Sequence, residues 1–282
     1  MLWLENFIRK SEVSERKGYY SYNAPFFIVK VFIKKVNMGL FRKSTTEAAA
    51  TKEMVKEQKV LKKLNLKEII TVDFPTDQYI RESHDKNQIV IHHTVSGQGV
   101  NGDIAWWRQT ADRVGTAIIV GWDGKIYQCF GSKYWAYHLG LKTKNNKELN
   151  KKSIGIEIDA WGGLVRTNRQ WYPAKWDKEL KKHVANTRVA PIKNVQVYEE
   201  GFKGFYGFEK YTDAQIEAVR QLLVYWNKRY DIPLDYNPTM FNISQEALSG
   251  KSGIWSHTSF RSDKSDCYPD ERLIAMLKSL SK

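Results

Sequence analysis

Residues 89–96, IVIHHTVS, constrain the fold more than any other stretch. The apolar, β-branched run that begins them is too short for a helix and reads as a buried strand over Gln88–His92. Side chains alternate along a strand, so Val90, His92 and Thr94 share one face while Ile91 and His93 share the other. Ile154–Ile158 is a second such run: its isoleucines take one side and Gly155, Glu157 and Asp159 the other. Thr116–Trp122 and Lys125–Phe130 read as two strands joined at Asp123-Gly124, a strong hairpin signal. Ile69–Phe74 is an extended lead-in stopped by Pro75, and Ile254–His257 is a last short strand.

Helices are marked by their starts. Thr212 and Gln215 form a T-x-x-Q capping box, and Ile216, Val219, Leu223, Trp226 and Tyr230 follow at helical spacing until Pro233. Asp103 is placed to cap a short helix carrying Ile104, Trp106 and Trp107, and Asp270–Leu280 forms a terminal helix. About five strands with at least three helices predict an α/β fold: a single domain over residues 75–282, with a central mixed β-sheet flanked by helices. Residues 161–211, rich in aromatics, Gly and Lys, read as an insertion with a short helix near Trp176–Val184.

The net charge of +14 is concentrated upstream, where residues 1–70 carry fifteen Lys/Arg against seven Asp/Glu. Residues 1–74 therefore read as a basic extension, with a helix opened by the S-x-x-E box of Ser44 and Glu47 and running to about Leu64. Met38 offers a second start. A basic surface attracts polyanions, including anionic polymers of a bacterial envelope, and no nucleic-acid motif accompanies the charge. Two cysteines, Cys129 and Cys267, are too few for a disulfide framework. The apolar run Phe26–Val36 is broken by Lys30, Lys34 and Lys35 and is far shorter than the roughly 20 residues of a membrane span. No secretory signal peptide is expected.

The chemistry-bearing residues fall in two distant runs. His92 ends one strand, and His257 ends another, followed closely by Lys264, Asp266 and Cys267. Two histidines with one carboxylate or thiolate make three protein ligands for a metal, and a fourth position stays open to water. That arrangement suits hydrolysis.

The ordered set IVIHHT, the hairpin with WDG, Tyr137-His138-Leu139-Gly140, SIGIEI and His257 with Asp266 nine residues on resembles zinc-dependent N-acetylmuramoyl-L-alanine amidases. That family includes phage endolysins and is similar in fold to peptidoglycan-recognition proteins. The resemblance covers roughly residues 75–282. It implies zinc held by His92, His257 and Asp266, the last satisfying a K-x-D step with Lys264. Cys267 is the rival third ligand. It further implies Glu157 as general base, Lys264 as the cation that stabilises the developing oxyanion, and His138 as a groove-facing residue that positions substrate or stabilises charge. Where the family often offers a tyrosine in a V-G-Y step, this chain has Val114-Gly115-Thr116.

The implied function is a peptidoglycan hydrolase cutting the bond between N-acetylmuramic acid and L-alanine, acting as a monomer. It would be made in the cytoplasm and act on the wall after release, or be carried in a phage particle. A non-catalytic peptidoglycan-binding module on the same fold is the alternative, and the filled ligand positions argue against it.

Overall fold

A computed structural model describes residues 69–97 and 99–281, together with Lys52, Met54, Val55 and Lys59, which are helical. The remainder of the helix expected over 44–64, the Met38 start and most of the basic extension lie outside the described residues.

The central sheet has six strands. In spatial order they are β1 (Ile69–Thr71), β4 (Ile126–Gln128), β3 (Ile118–Val120), β5 (Ser153–Ile158), β2 (Gln88–His93) and β11 (Gly253–Ser256). β3, β5, β2 and β11 run parallel to one another, while β4 pairs antiparallel with β3. The sheet is mixed, as expected from the count of strands and helices. The β3–β4 hairpin turns at Asp123-Gly124, where Gly124 adopts φ +78° and Asp123 Oδ1 accepts from the Lys125 N–H.

Register explains which side chains meet. Ile91, Ile156 and Ile118 are cross-strand partners and are essentially inaccessible to solvent. Burying each is worth about 1.5–3 kcal/mol, and sliding a strand by one residue would forfeit the whole set. The same register sets His92 opposite Glu157, on the other face and at the carboxyl ends of parallel strands. Ligands of open α/β sheets collect at such ends.

Helices complete the core. α1 (Val100–Trp107) follows β2, and Asp103 lies inside its first turn, because Gly99 occupies the cap position. α2 (Asn146–Lys152) precedes β5; its sequence NKELNKK has no apolar stripe, which is why periodicity does not reveal it. α3 (Asp213–Tyr230) has both bonds of the Thr212–Gln215 capping box and ends at Asp231 in the left-handed conformation, two residues before Pro233. It buries Ile216, Val219, Leu222, Leu223 and Trp226. α4 (Gln245–Leu248) and α5 (Glu271–Leu280, capped by Asp270) follow.

The insertion is a second sheet, not a helical excursion. Gly163–Thr167 (β6), Gln170–Asp177 (β7), Lys182–Ala185 (β8), Val195–Phe202 (β9) and Phe205–Glu209 (β10) pair antiparallel in the order β8-β7-β6-β10-β9. The helix expected near Trp176–Val184 is absent: Trp176 pairs with His183, and Lys175 with Val184. Asp177 Oδ1 accepts from the Glu179 and Leu180 N–H groups and Lys181 takes φ +49°, which turns the chain into a hairpin, and cross-strand pairing rewards the β-forming aromatics Trp171, Tyr172 and Trp176.

Candidate metal centre

The three expected ligands converge although 174 residues separate His92 from Asp266. His92 Nδ1 lies 3.2 Å and His257 Nδ1 2.8 Å from the same carboxylate oxygen, Asp266 Oδ2. The candidate ligand atoms all fall within 4.8 Å of one another, and all three residues are buried. Among the described residues this is the only such group of His, Cys, Asp and Glu. Donors of a tetrahedral ion at about 2.0–2.1 Å stand about 3.3 Å apart, close to the spacing found.

The surrounding hydrogen bonds determine which ring nitrogens face inward. Ser153 Oγ donates to the Leu149 carbonyl at 2.7 Å, so toward His138 Nε2, 2.8 Å away, it can only accept. His138 therefore carries its proton on Nε2, and burial keeps the ring neutral by lowering its pKa well below the usual histidine value. Its Nδ1 must then accept from His92 Nε2, 3.0 Å away. His92 is neutral as well: burial first, then the charge of His257, lowers its pKa to about 4. Its Nδ1 is left as a bare lone pair aimed at Asp266. His257 Nε2 donates to the Leu139 carbonyl at 3.0 Å, which leaves its Nδ1 on the same centre. Burial opposes ionisation of Asp266, but His257 and then His92 hold its carboxyl well below the usual range. Two histidine lone pairs and one carboxylate on a common centre make a donor set that could hold a divalent ion.

This relay rests on a polar scaffold that local sequence does not reveal. Asn150, fully buried, accepts with Oδ1 from the backbone N–H groups of His138 and Leu139, at 2.8 and 3.1 Å. One side chain thus places both the His138 ring and the carbonyl that orients His257. The buried Lys86 ammonium donates to the carbonyls of Tyr134, Lys151 and Ser153, at 2.9, 2.6 and 3.2 Å, joining the loop before His138 to the start of β5. Neither Asn150 nor Lys86 sits in a recognisable motif, whereas Ser153 opens SIGIEI.

Glu157, beside His92 in register, has Oε2 sealed from solvent without a hydrogen-bond partner. Burial, reinforced by the charges of Asp266 and Asp103 and opposed by Lys264, raises its pKa well above the usual carboxylate range. Lys264 is close enough for its charge to act on both Glu157 and His92. Both ring nitrogens of His138 are engaged within the protein. Thr116, at the family's tyrosine position, is buried and donates its hydroxyl to the Ile118 carbonyl at 2.9 Å. Cys267 is fully buried outside the ligand group, and burial pushes its thiol well up, away from the thiolate a metal needs. Cys129 is likewise a buried free thiol. His93, on the opposite strand face, pairs through Nδ1 with the Tyr211 hydroxyl at 2.9 Å.

A family model described as N-acetylmuramoyl-L-alanine amidase matches residues 82–269, a span that contains every residue of this centre. No curated protein sequence matches the chain. Among solved structures it is similar to PlyL, with 15% identity, 77% of this chain and 98% of that chain covered, and a TM-score of 0.43. It is also similar to the endolysin N-acetylmuramoyl-L-alanine amidase LysCS from Clostridium intestinale URNW, at 15% identity, 77% and 98% coverage and a TM-score of 0.39. A third similar structure is a selenomethionine derivative of AmpD, at 16% identity, 77% and 96% coverage and a TM-score of 0.41.

Proposed function

Because the chain belongs to the N-acetylmuramoyl-L-alanine amidase family, it is a peptidoglycan hydrolase, and we propose that it works through a zinc ion held by His92, His257 and Asp266. The bond cut joins the lactyl group of N-acetylmuramic acid to L-alanine. The observation that carries the proposal is the convergence of two histidine Nδ1 lone pairs on one ionised carboxylate, with Glu157 in register beside them. The chemistry that such an ion supplies is a bound water acidified from pKa 15.7 to about 7 and a polarised carbonyl.

The protein's own groups do the rest. Glu157 Oε2 takes the proton of the attacking water and returns it to the leaving amide nitrogen. Its raised affinity for protons suits both halves of that transfer. The Lys264 ammonium faces the negative charge that develops on the carbonyl oxygen. His138 holds the His92 lone pair in place and so acts as a positioning residue. Asp266 serves as third ligand and Cys267 as core. Basic residues of the chain draw it to anionic wall polymers, and the role that suits these properties is that of a lysin acting on the wall as a monomer.

Glu157→Gln tests the assignment. Release of L-alanine-terminated peptides from purified wall should fall by about 10²–10⁴-fold, while bound zinc stays stoichiometric by elemental analysis. Full activity in this variant would remove Glu157 from the mechanism. Asp266→Ala should lose zinc and Cys267→Ser should keep it; the reverse would exchange their roles.

A further inference from the structure

The inserted sheet builds a second concavity on the rim that carries the metal centre. Loop 189–194 is tied down by the Ile192 N–H donating to Trp171 O at 2.7 Å and the Lys210 N–H donating to Asn194 O at 2.9 Å. Opposite it stand Gly97, Trp122 and Trp161, which leave the ends of β2, β3 and β5. The cleft between them measures about 430 Å³, within the range of small-ligand sites.

Two indoles line it. Trp122 is 46% exposed, so it contributes little to the core. Trp161 packs on Gly97 so closely that a Cβ there would lie 2.9 Å from Trp161 Cζ2, and its backbone N–H is held by Glu209 Oε2 at 2.7 Å. The apolar run 189–192, Lys193, Asn194, Lys210 and the buried Glu209, whose carboxylate accepts the Trp161 N–H, complete the lining. The walls are aromatic and apolar, with two lysines set against one buried carboxylate.

We propose that this cleft binds a saccharide unit of the glycan strand: an acetamido sugar stacked on an indole, with a carboxylate of the same polymer meeting Lys193 and Lys210. The inference rests on the peptidoglycan reading above and extends it to a site away from the bond cut. A flat apolar indole face suits the C–H face of a pyranose, and Asn194 offers the donor and acceptor that an acetamido group needs. The two ammonium groups suit lactyl or stem-peptide carboxylates. Trp161 follows Glu157 by four residues and Gly97 follows His92 by five, so the cleft lies at most about 14 and 18 Å along the chain from the centre. A single polymer spans both. The cleft thereby favours polymeric wall over small muramoyl peptides.

The test titrates the full chain with chitotetraose and with peptide-free glycan strands, which keep the lactyl carboxylate, reading intrinsic tryptophan fluorescence. The parent should bind both saturably, and the strands more tightly. Trp122→Ala should weaken both by about tenfold, the equivalent of one good aromatic contact, and Trp122→Phe should restore much of the loss. Lys193→Glu should weaken only the strands. In turnover, Trp122→Ala should raise KM for wall and leave hydrolysis of a soluble muramoyl dipeptide unchanged. Equal glycan affinity in parent and Trp122→Ala, or no saturable binding by the parent, overturns the proposal. Failure of the parent to hydrolyse the muramoyl dipeptide would instead strike the amidase reading, and the glycan titration would still decide the cleft.

Discussion

Ser153→Ala isolates the hydrogen-bond relay behind the metal centre. The serine is two bonds removed from any ligand, through His138 and His92, yet its hydroxyl sets the tautomer of both rings. Without it, His138 has two choices. It can keep its proton on Nε2 and bury an unpaired donor, which costs about 1–3 kcal/mol. Or it can move the proton to Nδ1; His92 Nε2 must then accept, and the His92 proton shifts to Nδ1, the atom proposed to meet the ion. Either choice is charged to metal binding, so zinc affinity should fall by roughly 5- to 150-fold, the range those energies convert to. The metal-free protein should change less, because the reversed relay leaves only two acceptors, His138 Nε2 and the Leu149 carbonyl, without the serine hydroxyl and buries no unpaired donor. Chelator competition on metal-stripped protein measures the affinity, and nitrogen-15 shifts of the histidine rings report the tautomers. Ser153→Thr, which retains a hydroxyl, should stay near the parent. Zinc affinity within twofold of the parent in Ser153→Ala, with His138 still protonated on Nε2, would refute the reasoning.

Gly155→Ala should destabilise the domain by about 1–3 kcal/mol, because its Cβ would lie 2.6 Å from Thr116 Cγ2 and 3.1 Å from His138 Cγ. Urea midpoints would show the loss, and Thr116→Ser in the same chain should recover part of it. Asp103 accepts a bond from Ser96, but burial outweighs it and raises its pKa to about 7, against about 3.9 in an unfolded chain. Between those values the folded state binds the extra proton, so the contribution of Asp103 to stability falls as pH rises from about 4 to about 7 and then levels off. Asp103→Asn should remove its share of that fall from urea midpoints at pH 5 and pH 8; the raised carboxyls of Asp159 and Glu157 keep acting in the same direction, and the buried neutral rings of His92 and His93 in the opposite one. An unchanged slope would count against the buried-carboxylate account.

Much of the central sheet was legible because Ile154, Ile156 and Ile158 alternate with Gly155 and Glu157 at a period of two, which permits one register, and because Ile89–Ile91 is a short β-branched run buried throughout. The Asp123-Gly124 turn and the Thr212–Gln215 box were legible because their chemistry is local. His92, His257 and Asp266 were named through an ordered set of motifs, since no local pattern brings residues so far apart together. The second sheet escaped notice because its strands are only half covered and bury aromatics and glycine amid charged residues, so neither period dominates. Asn150 and Lys86 could not be read at all: their partners are backbone groups, and a carbonyl carries no sequence signature.

The aromatic joint between the two sheets has a consequence of its own. Tyr268, two positions beyond Asp266, stacks on Phe208 at 4.6 Å and lies 4.7 Å from the Tyr211 ring, while its hydroxyl donates to the Glu209 carbonyl at 2.8 Å. The accessory sheet is therefore rooted in the same loop that presents the carboxylate. Trimming it away would strip the cover from a wholly enclosed tyrosine and loosen the loop that holds Asp266, so a shortened relative would have to rebuild that loop before it could discard the sheet.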